Sequence, residues 1–284
     1  MRKIGFFTSL AFMIGLGTAF GQGTSDYIKF KPGATPNDGE LQIAVETWKT
    51  PDGRIVDLYG VVHIADKDYY QKVQGELNGY DAVLYEGVGA TKEALAAKRE
   101  AKGSSSGLSS FQRLFGSVLG LEFQMDGIAY VHTNLVHADM GMETFKRETK
   151  GKPLNPLEQY VSPEQLKNLK PLLDIGGKLL EAWMNSNPEL RNSMKVKFGS
   201  QMSQADMTKQ LPPKMYKTIV IDRNAIVMQV LAKQLKNHPG KKRLAIFYGA
   251  AHMPDFAVRF KQLGYTRVKS RWLTAWKIGN GAGF

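Results

Sequence analysis

The chain has 284 residues, of which 43% are hydrophobic and 23% charged, with a formal net charge of +12 and no cysteine. Its length and its 14 Phe, 11 Tyr and 4 Trp are enough to build one sizeable core, which excludes a disordered or low-complexity chain. The lack of Cys excludes disulfide scaffolds, zinc–thiolate sites and iron–sulfur clusters, so any metal must be held by His, carboxylate and water.

At the N-terminus, Arg2 and Lys3 precede an uncharged, mostly apolar run from Ile4 to Phe20, and Ala19-Phe20-Gly21 supplies small residues at a cleavage site. Residues 1–21 are therefore expected to be a signal peptide, cut near Gly21/Gln22 to give an exported (periplasmic or secreted) protein. Thr8, Gly15 and Gly17 interrupt the run, which falls just short of the ~20 residues of a spanning helix and so favours cleavage over a retained anchor.

Gln22 to Glu40, rich in Gly, Pro, Asp and Thr, reads as a loose lead-in. Leu41–Trp48 and Arg54–Val62 read as strands joined by the turn signal Pro51-Asp52-Gly53, hence a hairpin. Asp66–Leu77 has helical spacing at Tyr69, Val73 and Leu77, with Asp66 as N-cap. Asp81–Tyr85 is a short apolar run suited to a strand covered on both faces. A helix over Thr91–Lys102, a flexible Gly/Ser loop over Gly103–Ser110, a strand over Thr133–Met140 and a helix over Glu143–Lys150 follow.

Pro163–Tyr216 reads as mostly helical and Met-rich. Around Trp183, Met184, Met194, Met202 and Met207 it either packs the core or touches lipid or a partner. Tyr216–Lys236 is a long amphipathic helix, Arg243–Tyr248 a strand, Asp255–Leu263 a helix and Thr266–Ile278 the closing strand or strands. Strands alternating with helices at both ends predict an α/β fold: a central mixed sheet flanked by helices, one domain over 41–284 with a helical insertion at about 141–215.

Three polar residues share one context. Gly60-Val61-Val62-His63, Tyr85-Glu86-Gly87 and Gly249-Ala250-Ala251-His252 each end a predicted strand, and open α/β sheets bind ligands outside the carboxyl ends of their strands. If those strands are parallel neighbours, two imidazoles and a carboxylate converge. That is a common ligand set for a divalent ion, with positions left open to water. The glycine three residues before each His permits a tight turn or a close approach.

Arg223 falls on the apolar stripe of its helix with Ile219, Ile226 and Val230, so it needs a buried anionic partner: Glu86, Asp222 or a substrate oxyanion. His132 and His137, five apart, are no chelating pair, whereas His137 and Asp139 share a face of any strand there and are secondary candidates. His238, beside Pro239-Gly240, reads as a loop residue.

The two Gly-x-x-His segments, the intervening glutamate and Asp222-Arg223-Asn224 resemble the TraB/GumN group, related to the Tiki proteases and more distantly to ChaN-like haem-binding proteins and erythromycin esterases. The resemblance runs from about Leu41 to Tyr265 and is weakest in the helical insertion. It implies a divalent-metal-dependent hydrolase acting on peptides. His63, Glu86 and His252 then match the metal and catalytic positions, Arg223 matches the family's arginine and Asn224 becomes a further candidate. The group often has Gly-Thr-x-His at its first motif; here Val61 takes the threonine's place and removes a hydroxyl.

The resulting expectation is a hydrolase in which activated water attacks a carbonyl, using a divalent ion such as Mn, Co or Zn. His63, His252 and Glu86 are metal ligands, Glu86 is alternatively the base, and Arg223 steadies the oxyanion. The alternative is a non-catalytic peptide-, haem- or metal-binding envelope protein. Expected partners are a peptide or small-molecule substrate and weak contact with an anionic membrane surface. With no basic–aromatic motif, nucleic acid is not an expected partner.

Overall fold

The computed structural model describes residues 26–89, 107–150, 175–206, 208 and 211–279. The expected leader, the Thr91–Lys102 helix, the start of the Gly103–Ser110 loop, residues 151–174 of the insertion and Met207 lie outside the described residues.

A seven-stranded mixed sheet organises the chain, with β1 (Ile28–Pro32), β2 (Gly39–Lys49), β3 (Ile55–Val61), β5 (Ala82–Tyr85), β7 (Leu135–His137), β8 (Arg243–Gly249) and β9 (Thr266–Ile278). β2 is the hinge of its topology. One edge of β2 pairs antiparallel with β9 along its whole length, while β1 and β3 share the other edge end to end. From β3 outward the sheet is parallel, in the order β3-β8-β5-β7. β5 (Ala-Val-Leu-Tyr) is buried at every position and β8 at nearly every one, as parallel strands covered on both faces require. A separate two-stranded ribbon pairs β4 (Ile64–Ala65), immediately after His63, with β6 (Glu122–Phe123).

The helices are α1 (Lys67–Leu77), α2 (Gly107–Leu119), α3 (Met142–Glu148), α4 (175–185), α5 (Pro188–Ser203), α6 (Arg223–Asn237) and α7 (Met253–Gln262). Trp48, Tyr59, Tyr70, Tyr85, Phe247, Tyr248, Phe256, Phe260 and Trp276 are the largest fully buried side chains, gathered around the sheet. Met184 and Met202 are buried and Met194 packs against the core, whereas Trp183 is exposed.

Four expectations change. The lead-in contains β1, whose Lys29 stands over the Trp272 ring and whose backbone pairs with β2. Gly107 to Ser110 open α2 instead of completing a loop. Asp66 does occupy the N-cap position of α1, but its carboxylate caps nothing. It accepts the Lys277 N–H at 2.5 Å and the Lys195 ammonium at 3.5 Å, tying the helix start to β9.

The fourth change concerns the helix carrying Arg223. A helical turn at Pro213–Tyr216 runs into a π-helical turn, Lys217–Asp222, and then into α6. The wider turn shifts the helix phase. The buried stripe becomes Val220, Arg223, Asn224, Val227 and Leu231, and Ile219, Ile226 and Val230 are only partly covered. Arg223 is buried as expected, but on a neighbouring face, together with Asn224.

Candidate functional site

β3, β8, β5 and β7 are adjacent and parallel, so their carboxyl ends form one rim. His63 follows β3, Glu86 follows β5, and Asp139 comes two residues after β7. At the end of β8 a single 3-10 turn, Ala250–His252, brings the His252 ring back over the rim, against Tyr248 and Phe256. Val61 pairs with Gly249, so the two Gly-x-x-His segments run side by side, one residue out of step. Arg223 and Asn224 reach the rim from the first turn of α6.

These residues form one hydrogen-bonded network. Arg223 donates from Nε and Nη2 to the two carboxylate oxygens of Asp139, at 2.8 and 2.7 Å, a two-pronged pairing that fixes the guanidinium plane. The second Nη2 hydrogen goes to Glu86 Oε1 at 2.6 Å. Glu86 Oε2 accepts the Gly249 N–H at 2.7 Å. Asp139 also accepts the backbone N–H groups of Gly87 and Met140, at 2.8 and 2.7 Å. Among the described residues Arg223 Nη1 has only long contacts, 3.3 Å to the Ile219 carbonyl and 3.5 Å to His252 Nε2.

The His252 imidazole has a defined tautomer. Asn224 donates its Nδ2 hydrogens to the His252 carbonyl and to Asp255 at 3.0 and 2.8 Å. Its Oδ1 therefore faces His252 Nδ1, 2.7 Å away, which must be the protonated nitrogen. That leaves the lone pair on His252 Nε2, 3.8 Å from Glu86 Oε1. His63 Nδ1 lies 3.2 Å from Gln124 Oε1, and the other end of that amide meets the Tyr130 hydroxyl; because a hydroxyl donates or accepts, the contact orients the ring and leaves its tautomer open.

The electrostatics follow from burial. Burial lowers the His252 pKa to about 4, against the pull of Glu86, so this imidazole is neutral at pH 7. For Glu86, burial works against ionisation, but the Arg223 charge and the Gly249 N–H hold its carboxyl well below the usual carboxylate range. Burial also opposes the charge on Arg223, and Glu86 and Asp139 more than offset it. The cluster thus contains one cation, two carboxylates and a neutral imidazole. Asp139 answers the guanidinium, which leaves one uncompensated anion centred on Glu86.

Of the residues read from the sequence, Glu86, Arg223, Asn224, Asp139 and His252 meet directly. His63 follows β3 on the same rim and is anchored by Gln124. His137 stands beside them, its Nε2 2.6 Å from the Gly87 carbonyl, and positions the backbone next to Glu86. Asp222 does not partner Arg223; it pairs with Lys217 at 2.5 Å. Gln124 and Tyr248 escaped the sequence reading. Gln124 lies beyond a two-residue strand that leaves no periodic signal, and Tyr248 looks like any strand residue although Arg223 lies over its ring and its hydroxyl donates to the Ala138 carbonyl at 2.6 Å.

Among the described residues no three His, Asp or Glu side chains form a ready metal-holding group. The donor chemistry nevertheless fits a divalent ion: an ionised carboxylate, a neutral imidazole lone pair beside it, and an amide acceptor fixing the His252 tautomer. No protein-family model matches the chain, and no curated protein does.

Proposed function

We propose that this chain is an exported, divalent-metal-dependent hydrolase of peptides, of the TraB/GumN kind that its motifs resemble. The observation that carries the reading is the pairing of ionised Glu86 with the neutral, tautomer-fixed Nε2 of His252, 3.8 Å apart, beside an arginine whose charge Asp139 already answers. Glu86, His252 and His63 would hold the ion, with Mn, Co and Zn all suited to such donors. Bound there, a divalent ion lowers the pKa of a coordinated water toward ~7.

The chain's own groups do the rest. Where Glu86 is not a ligand, it is the group placed to take a proton from the attacking water; Arg223 keeps it ionised and so makes it a weak base. Arg223 Nη1, with only long protein partners, has N–H bonds to give to a developing oxyanion. Asn224 holds the His252 ring in one orientation throughout.

The test is cleavage of a reporter-peptide library together with metal content after dialysis against Mn, Co and Zn. Wild type is expected to hold near-stoichiometric metal, and a folded His63→Ala/His252→Ala variant to lose it. Glu86→Gln is expected to cut about 10²–10⁴-fold more slowly. Equal rates for Glu86→Gln and wild type would end the hydrolase reading.

One observation favours a second reading. Both oxygens of Glu86 already accept hydrogen bonds from the protein, and Val61 brings no hydroxyl to the site, as suits a peptide- or metal-binding envelope protein without turnover. Tight peptide capture with no product by mass spectrometry selects that alternative.

A further inference from the structure

Arg223 raises a difficulty for any cation at this rim, because a buried guanidinium 2.6 Å from Glu86 repels a second positive charge. We infer that Asp139 is the positioning residue that removes this conflict: by taking up the Nε/Nη2 fork of Arg223, it frees the charge of Glu86 for a divalent cation without ligating that cation itself. The inference rests on the metal-dependent reading and adds to it a residue that acts only through Arg223.

Three features support it. Asp139 has a side chain with no exposed surface, and it is filled to capacity. Its oxygens accept from Arg223 Nε, Arg223 Nη2, Gly87 N and Met140 N, all within 2.8 Å, so neither oxygen is turned to a ligand. The two backbone donors come from the segment after β5, next to Glu86, and from its own neighbour after β7, so the carboxylate is held from both strands independently of Arg223. Arg223 in turn has one Nη2 hydrogen for Asp139 and one for Glu86, so the guanidinium is shared in a set geometry instead of collapsing wholly onto Glu86.

The charge count makes the consequence testable. With Asp139 in place the Arg223–Asp139–Glu86 cluster carries a net single negative charge. Asp139→Asn brings it to neutrality, leaving Glu86 as the only counter-ion of Arg223. Asp139→Asn/Arg223→Gln restores the single negative charge with neither original partner present. Calorimetric titration of each folded variant with Mn2+, Co2+ and Zn2+ reads the effect without any substrate. Asp139→Asn is expected to bind about 10–100-fold more weakly than wild type, the range of a residue behind the ligands. The double variant is expected to recover most of that loss.

A structural support, or a metal ligand, would not behave so: in either case the double variant binds no better than Asp139→Asn, and the inference falls. Should Asp139→Asn alone fail to fold, Arg223→Gln is compared with the double variant. A residue that acts only through Arg223 has no effect once Arg223 is gone, so the two must bind alike, and a double variant about 10–100-fold weaker than Arg223→Gln overturns the inference. Wild-type uptake that Asp139→Asn leaves unchanged overturns the inference alone. No uptake by wild type overturns the metal-dependent reading and the inference with it.

Discussion

Asn224 is fully buried and makes three hydrogen bonds, two as donor and one as acceptor, all within the His252–Asp255 segment. Replacing it with Ala leaves the buried His252 Nδ1–H without its acceptor, a loss of about 1–3 kcal/mol. It also frees the ring to turn or change tautomer. Asn224→Ala should therefore lower the urea midpoint and weaken divalent-ion affinity by about 10–100-fold. Lowered stability with unchanged affinity would reduce Asn224 to a structural residue. His63, Glu86, Arg223 and His252 were legible in the sequence because strand-end placement and helix periodicity announce them. Asp139 was legible only as a neighbour of His137, since nothing in a linear sequence says that its carboxylate meets a guanidinium 84 positions away.

At the scale of elements, the glycines that end β3 and β8 matter through space. A Cβ at Gly249 would lie 3.3 Å from Glu86 Oε2 and 3.7 Å from His252 Cδ2; one at Gly60 would press Met253 and Ala250 at 3.3 and 3.4 Å. Each Gly→Ala change is a small overpacking that costs about 1 kcal/mol. Only Gly249→Ala displaces the carboxylate, so it should weaken metal binding about tenfold while Gly60→Ala leaves it nearly intact. Matching losses in the two variants, by calorimetry, would contradict this division. The close approach was readable from the Gly-x-x-His pattern, whereas the π turn before Arg223 was not read. Its trace is the β-branched run Thr218-Ile219-Val220-Ile221, a poor α-helix former, hidden within a segment whose apolar spacing suits an ordinary helix.

Across the whole molecule, the alternation of strands and helices made the α/β class legible, and the hairpin of β2 and β3 came with its turn signal. The order β3-β8-β5-β7 did not, because fully apolar parallel strands carry no pairing code and β3 meets β8 from the far end of the chain. That long-range order is what buries His252, and its burial ties the stability of the whole fold to pH. The folded pKa of His252 is about 4 against 6.5 for a free imidazole. Between those values the unfolded chain binds a proton that the folded chain refuses, so stability falls as pH falls. The full loss, reached below the folded value, is about 3 kcal/mol at 1.36 kcal/mol per pKa unit. Glu86, with its pKa depressed in the fold, adds a loss of the same sign below the usual carboxylate range, so His252 dominates this pair's contribution in the upper part of the window. Metal-free protein should therefore lose Tm steadily from pH 6.5 toward 4.5, and His252→Gln, which cannot titrate, should show a shallower slope there. Parallel Tm profiles for the two proteins would mean that the imidazole already accepts its proton in the fold, which is incompatible with a neutral His252 facing Glu86.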